Sequence, residues 1–181
     1  MKANDLKSKV KEISLIISDV DGVLTDASIY VGADGIEFKK FSVEDGAGVA
    51  FARYASIDVA LISGRYSLAT EYRAEELNIF DICNGGLNKL HFYNKLKSKY
   101  SLSDDEIAYI GDDLIDLPVM EQVGVPIAVQ NAHPEVKSLA VHTTQSIGGN
   151  GAFREAIEWV IDQKGLTTEV YKIMREKISA I

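Results

Sequence analysis

The sequence predicts an α/β fold: a doubly wound, mostly parallel sheet with helices on both faces and one protruding β-hairpin. Three observations carry this reading. Short, nearly continuous apolar runs alternate along the chain with longer amphipathic stretches. That order is the mark of β-α-β units, whose parallel strands are covered on both faces and so read as unbroken apolar runs. One stretch, residues 28–41, departs from the alternation and reads as two short strands about a Gly-containing turn. No Pro-rich linker, repeat or low-complexity segment divides the 181 residues, so one domain is expected over 1–181.

In chain order, residues 13–18 form an apolar run that ends in acids. The hairpin follows, with strands in 28–31 and 36–41 around Ala33, Asp34 and Gly35. Helical spacing over 46–55, 66–77, 88–100 and 114–123 separates further strand-like runs at 57–63, 80–83, 106–110, 125–129 and 139–142. Residues 152–163 place Phe153, Ala156, Ile157, Val160 and Ile161 on one face, the pattern of a helix lying on a core. The tail, about 166–181, predicts one more helix with Thr167 or Thr168 as its cap.

Composition narrows the function classes. The net charge is −8, which argues against a general nucleic-acid surface, because phosphates would be repelled. No apolar run approaches the ~20 residues that span a bilayer, and the N-terminal residues lack the apolar stretch of a secretory signal. The single Cys83 excludes an internal disulfide framework and fits a reducing compartment. The expectation is a cytoplasmic protein with no nucleic-acid or membrane partner. An anionic small molecule would then have to be held locally, against the overall charge.

In open α/β sheets ligands bind at the carboxyl ends of strands, so the polar residues directly after the apolar runs matter most. Asp19 and Asp21 follow the first run, two residues apart and on the same side of a strand before the chain turns at Gly22. They read either as a polar turn or as paired carboxylates, one ionised nucleophile and one proton donor. Asp112, Asp113 and Asp116 repeat the arrangement after the run at 106–110, with Asp113 also suited to capping a helix. Five acids gathered at strand ends would need a cation. Carboxylates and carbonyls without clustered His or Cys select a hard ion, and Mg²⁺ fits best. Ser63, ahead of Gly64, can donate its hydroxyl to a phosphate or serve as a helix cap. Lys89 stands in the first turn of a helix, where a cation opposes the helix dipole, so neutralising a phosphate explains it better.

Asp19-Val20-Asp21-Gly22-Val23, Ser63, Lys89 and Gly111-Asp112-Asp113-x-x-Asp116 stand in the order of the four motifs of the haloacid dehalogenase (HAD) superfamily of phosphohydrolases, which the chain therefore resembles. Residues 19–30, 41–49, 62–65, 109–120, 128–136 and 148–158 are similar to the branch that acts on 3-deoxy-ulosonate sugar-acid phosphates, foremost 3-deoxy-D-manno-octulosonate 8-phosphate. Phosphatases of nine-carbon ulosonate 9-phosphates (sialic acid or KDN type) and non-catalytic phosphatase-like oligomerisation modules are the neighbouring alternatives. The resemblance implies a HAD-like Rossmannoid core and a two-step hydrolysis with a Mg²⁺ cofactor. Asp19 would be nucleophile and metal ligand. Asp21 would be general acid/base and would ligate through its carbonyl, and Asp112 would complete the protein ligands. Ser63, Gly64 and Lys89 would hold the phosphoryl group, with Asp113 and Asp116 orienting the metal waters and Lys89. Thr25, Asp45, Gly46, Arg65 and Arg73 would contact the substrate.

Two features go beyond these motifs. The 44 residues from Asp19 to Ser63, and the 26 from Ser63 to Lys89, leave no room for the cap domain that many superfamily members insert. An open site then implies the homotetramer of the capless branch, with hairpins packed together. The loop 148–151 and the C-terminal tail are candidates to help close the pocket. The octulosonate enzymes typically carry Asn-x-Arg-Asp-Gly and a further Arg where this chain has Ser42, Glu44 and Ala50. Losing two cations and gaining an acid should weaken capture of a sugar carboxylate.

Overall fold

The computed structural model describes residues 3–179. Six parallel strands form one sheet in the order β5-β4-β1-β6-β7-β8: β1 Leu15–Ser18, β4 Asp58–Ser63, β5 Asp81–Asn84, β6 Ile107–Gly111, β7 Val125–Ala128 and β8 His142–Thr143. Strands β1, β6 and β7 are buried along their whole length, because both faces of the sheet are covered. β2 Tyr30–Val31 and β3 Glu37–Phe38 form a separate antiparallel hairpin of two residue pairs, shorter than the sequence pattern suggests. Its turn runs from Gly32 to Gly35, which sits at φ +80°. Among the described residues no cap domain is inserted between these elements.

On one face α2 Val43–Tyr54 packs on α7 Ala152–Lys164, joined by α1 Ala3–Glu12 and α8 Thr167–Ile178. α3 Leu68–Glu76 leans on α2, where Gly46 approaches Arg73 and Leu77. On the other face lie α4 Lys89–Tyr100, the short α5 Leu117–Met120 and α6 Pro134–Leu139. The residues Phe153, Ala156, Ile157, Val160 and Ile161 are all buried in α7, as their spacing requires. No described helix is long and apolar enough to cross a membrane.

The differences from the sequence reading have local causes. The helix expected at 114–123 is a 3-10 turn, Leu114–Asp116, followed by α5, because the Asp116 carboxylate is committed to the backbone N–H groups of Asp112 and Asp113. Leu139 ends α6 rather than starting a strand, so β8 begins three residues later. Neither Thr167 nor Thr168 caps α8. Gly165 at φ +75° turns the chain straight from α7 into α8, leaving Leu166 at the cap position and the Thr167 hydroxyl buried without a partner. The expected residues 180 and 181 of this helix lie outside the described residues.

Candidate active site

Strand β1 pairs with β4 on one side and β6 on the other, so the connections leave its carboxyl end in opposite directions and open a crevice there. Asp19 is the first residue past β1, its N–H donating to the Ile110 carbonyl of β6 at 2.9 Å. The chain then makes one tight turn in which the N–H groups of Val23, Leu24 and Thr25 all donate to the Val20 carbonyl. The buried Thr25 hydroxyl accepts from the N–H groups of Gly22 (3.3 Å) and Ala27 (3.2 Å) and locks that turn.

The acids that follow distant strands meet at this point. Asp19, Asp112 and Asp116 each place an oxygen within 4.8 Å of the others. Asp116 is fully engaged. Its Oδ1 accepts from Lys89 Nζ and the Tyr109 hydroxyl, both at 2.7 Å, and its Oδ2 from the N–H groups of Asp112 (3.0 Å) and Asp113 (3.1 Å). It is thus a scaffold for the cluster. Lys89, almost wholly buried, also reaches Asp19 Oδ1 at 2.8 Å. Burial disfavours its ammonium, but Asp19 and Asp116 outweigh that, and its pKa is raised. Burial and the nearby Asp116 push Asp19 up to about 7 despite Lys89. Burial with Asp19 and Asp116 pushes Asp112 up to about 8. Asp112 Oδ1 is buried with no hydrogen-bond partner. Two crowded carboxylates, one with an orphaned oxygen, form an all-oxygen donor set suited to a small hard cation such as Mg²⁺.

Gly22 makes this approach possible. It sits at φ +95°, and a Cβ there would lie 2.0 Å from Asp112 Oδ2. Gly22→Ala is therefore expected to combine backbone strain with displacement of Asp112, lowering apparent Mg²⁺ affinity by about tenfold or more. A Mg²⁺ titration indistinguishable from that of the unaltered protein would contradict this.

Asp19, Asp21, Gly64, Arg65, Asp112 and Asp113 border a cavity of about 290 Å³. Asp113 is at its mouth, exposed, its carboxylate accepting from the Leu114 N–H at 2.8 Å. Ser63 ends β4 fully buried, and its hydroxyl donates to the Arg65 carbonyl at 2.8 Å, so here it shapes the loop. It does not cap α3, which starts after Ser67. Arg65 is ion-paired with Glu37 of the hairpin. Asp21 is paired with Lys39, a residue the sequence pattern does not single out.

The other residues expected to contact substrate have partners within the fold. Thr25 is committed to its turn. Asp45 is buried between α2 and α7 and accepts from the Arg154 N–H at 3.1 Å, capping the first turn of α7; burial raises its pKa. Arg73 donates to the Ser42 carbonyl at 2.9 Å and pairs with Glu76, clamping α3 to the start of α2 with Gly46 against it. The loop 148–151 is packed under the turn at Gly22. A Cβ on Gly148 would lie 1.8 Å from the Gly22 carbonyl oxygen, and Asn131 bridges the two segments. The tail helix α8 lies against α2, with Val170 buried and Tyr171 edge-on to Phe51, rather than over the pocket.

A parallel sheet with an acidic, lysine-bearing cluster at its switch point is the arrangement expected of a HAD-type hydrolase. The model of the haloacid dehalogenase-like hydrolases matches residues 61–156, and the chain belongs to that family. Within it, the chain is similar to the 3-deoxy-D-manno-octulosonate 8-phosphate phosphatase KdsC of Escherichia coli (strain B / BL21-DE3), 42% identical over 165 residues, 91% of this chain and 88% of that one. The phosphatase of the same name from Moraxella catarrhalis, solved with magnesium ion, phosphate ion and KDO, matches with a TM-score of 0.91 at 34% identity, over 96% of this chain and 99% of that one. Its Yersinia pestis counterpart matches with a TM-score of 0.88 at 40% identity, over 92% and 90% of the two chains.

Proposed function

We propose that this protein is a Mg²⁺-dependent phosphatase that hydrolyses 3-deoxy-D-manno-octulosonate 8-phosphate through an aspartyl-phosphate on Asp19. The observation that carries the reading is the convergence of Asp19 and Asp112 within 4.8 Å, with Lys89 bonded to Asp19. The substrate follows from the relatives, two of whose solved structures bear that enzyme's name.

Asp19, Asp112 and the Asp21 carbonyl would hold Mg²⁺, which when bound supplies positive charge to the transferring phosphoryl group. Asp19 Oδ1 is held by the Val20 N–H and by Lys89, leaving Oδ2 to attack phosphorus. As the P–O ester bond breaks, Asp21 gives a proton to the departing sugar oxygen. Water then attacks the aspartyl-phosphate, Asp21 takes its proton, and phosphate leaves with Asp19 restored. Lys89 neutralises charge on the phosphoryl oxygens throughout.

The hairpin supports assembly into a homotetramer. Its apolar side chains face out, with Tyr30, Ile36 and Phe38 more than half exposed, while Glu37 and Lys39 turn inward. A neighbour packed there would cover the open pocket. A cytoplasmic setting accords with the free Cys83. The second reading, a nine-carbon ulosonate 9-phosphate, is favoured by Ser42 and Glu44, which put no cation at the start of α2.

A phosphate-release screen over eight- and nine-carbon ulosonate phosphates tests both readings. Metal-dependent release with preference for the octulosonate ester is expected; no release from any ester would overturn the phosphatase reading. Protons compete with the cation, because the pKa values of Asp19 and Asp112 are raised and both groups are neutral at lower pH. Apparent Mg²⁺ affinity should therefore rise, roughly tenfold or more, from pH 6 to 8, with proton release measurable by calorimetry in buffers of different ionisation enthalpy. An affinity flat across that range would contradict it.

A further inference from the structure

The ion pair on Asp21 extends the proposed mechanism. Lys39 follows β3, and its side chain is wholly buried. Its Nζ lies 2.7 Å from Asp21 Oδ1 and 2.9 Å from Asp21 Oδ2, and it donates to the Thr70 hydroxyl of α3 at 3.3 Å. Thr70 is itself almost completely buried. The adjacent lysine, Lys40, is exposed and only loosely paired with Asp26 at 3.5 Å. An ammonium taken fully out of water, where its neighbour stays in it, has to be held by its partners. Here those partners are both oxygens of the carboxylate that borders the cavity and one hydroxyl on another element.

We infer that Lys39 is a positioning residue for Asp21: it fixes the carboxyl group at the cavity wall, from which a proton must reach the leaving oxygen. The inference rests on the phosphatase reading above. Pinned at both oxygens and braced on Thr70, the carboxyl group has one orientation rather than several. When one oxygen carries the proton, the other still accepts from Nζ, so the tether persists through the step. In that step the Asp21 proton passes to the ester oxygen, and the P–O bonding pair stays on that oxygen as phosphorus transfers to Asp19. Proton transfer by a placed side chain contributes about 10²–10⁴-fold, and loss of placement forfeits much of that. The same strand sends Glu37 to Arg65, so the inward face of the hairpin braces two residues of the cavity wall while its outward face is apolar.

The test compares two esters. The octulosonate 8-phosphate needs its leaving oxygen protonated; p-nitrophenyl phosphate does not, because its leaving phenolate is stable. kcat/KM covers the steps up to departure of that group, so it reports proton donation for the first ester and is blind to it for the second. Lys39→Met should lower kcat/KM about 30-fold or more on the sugar phosphate and no more than about threefold on the aryl phosphate. Thr70→Val, which removes only the brace, should show the same asymmetry at about three- to fivefold and carries the test if Lys39→Met does not fold. Equal losses on the two esters, or no loss on either, would overturn the inference while leaving the phosphatase reading in place. An unaltered protein inactive on both esters would remove the phosphatase reading and this inference together.

Discussion

Asp19→Asn is expected to lose turnover by about 10⁴-fold or more with the fold intact. An amide cannot attack phosphorus to form the acyl phosphate. The Val20 N–H donates to Asp19 Oδ1 at 2.7 Å, a bond that an amide oxygen in the same place retains. Lys89 keeps Asp116 at 2.7 Å. The substitution also removes one of the carboxylates whose repulsion raises Asp112. A thermal midpoint within a few degrees of the unaltered protein is therefore expected alongside the loss of phosphate release. Activity within tenfold of the original would refute the nucleophile assignment.

Lys89→Met has the second large effect, and it acts on stability as well as chemistry. Among the described residues, Lys89 is the one cation in contact with both Asp19 and Asp116, and all three are buried. Methionine fills similar volume but leaves two carboxylates without their countercharge. Breaking such a buried pair costs about 3–5 kcal/mol. Activity should fall by about 10²–10³-fold, the scale of losing one preorganised charged donor at a transition state. The stability loss should shrink as the pH falls. Asp19 is already raised by burial and by Asp116, and without Lys89 its protonation comes at still higher pH, which removes the uncompensated charge. Urea unfolding at pH 6 and pH 8 measures this. A variant as stable as the original at pH 8 would show that Lys89 does not hold the cluster.

Much of the fold was legible because β1, β4, β6 and β7 are largely apolar runs that keep their character wherever the chain goes. The 13–18 run became Leu15–Ser18 and the 106–110 run became Ile107–Gly111, each shifted by a residue or two. The carboxylates directly past them, Asp19 and Asp112, were legible for the same reason, since a parallel strand delivers the next residue to the sheet's carboxyl edge. The short helix Pro134–Leu139 escaped notice because six residues give too little periodicity, although Pro134 and the cap His133 mark its start. Asp45 reads, through the family resemblance, as a substrate contact. Its role as the cap of α7 depends on a segment more than a hundred residues away.

The sequence by itself determined the parallel α/β architecture, the sheet edge where the acids gather and which acids those are, because strand hydrophobicity and the residue after a strand are local properties. Only the tertiary structure decided how those acids divide their work. Asp116 is saturated by Lys89, Tyr109 and two backbone N–H groups, so it braces the cluster, while Asp112 keeps an oxygen without a partner. It alone also separated Lys39 from Lys40, neighbours of one type, burying the first on Asp21 and leaving the second in water. Charge compensation is a through-space quantity, and its partners lie from 18 residues apart along the chain (Asp21 and Lys39) to 70 (Asp19 and Lys89).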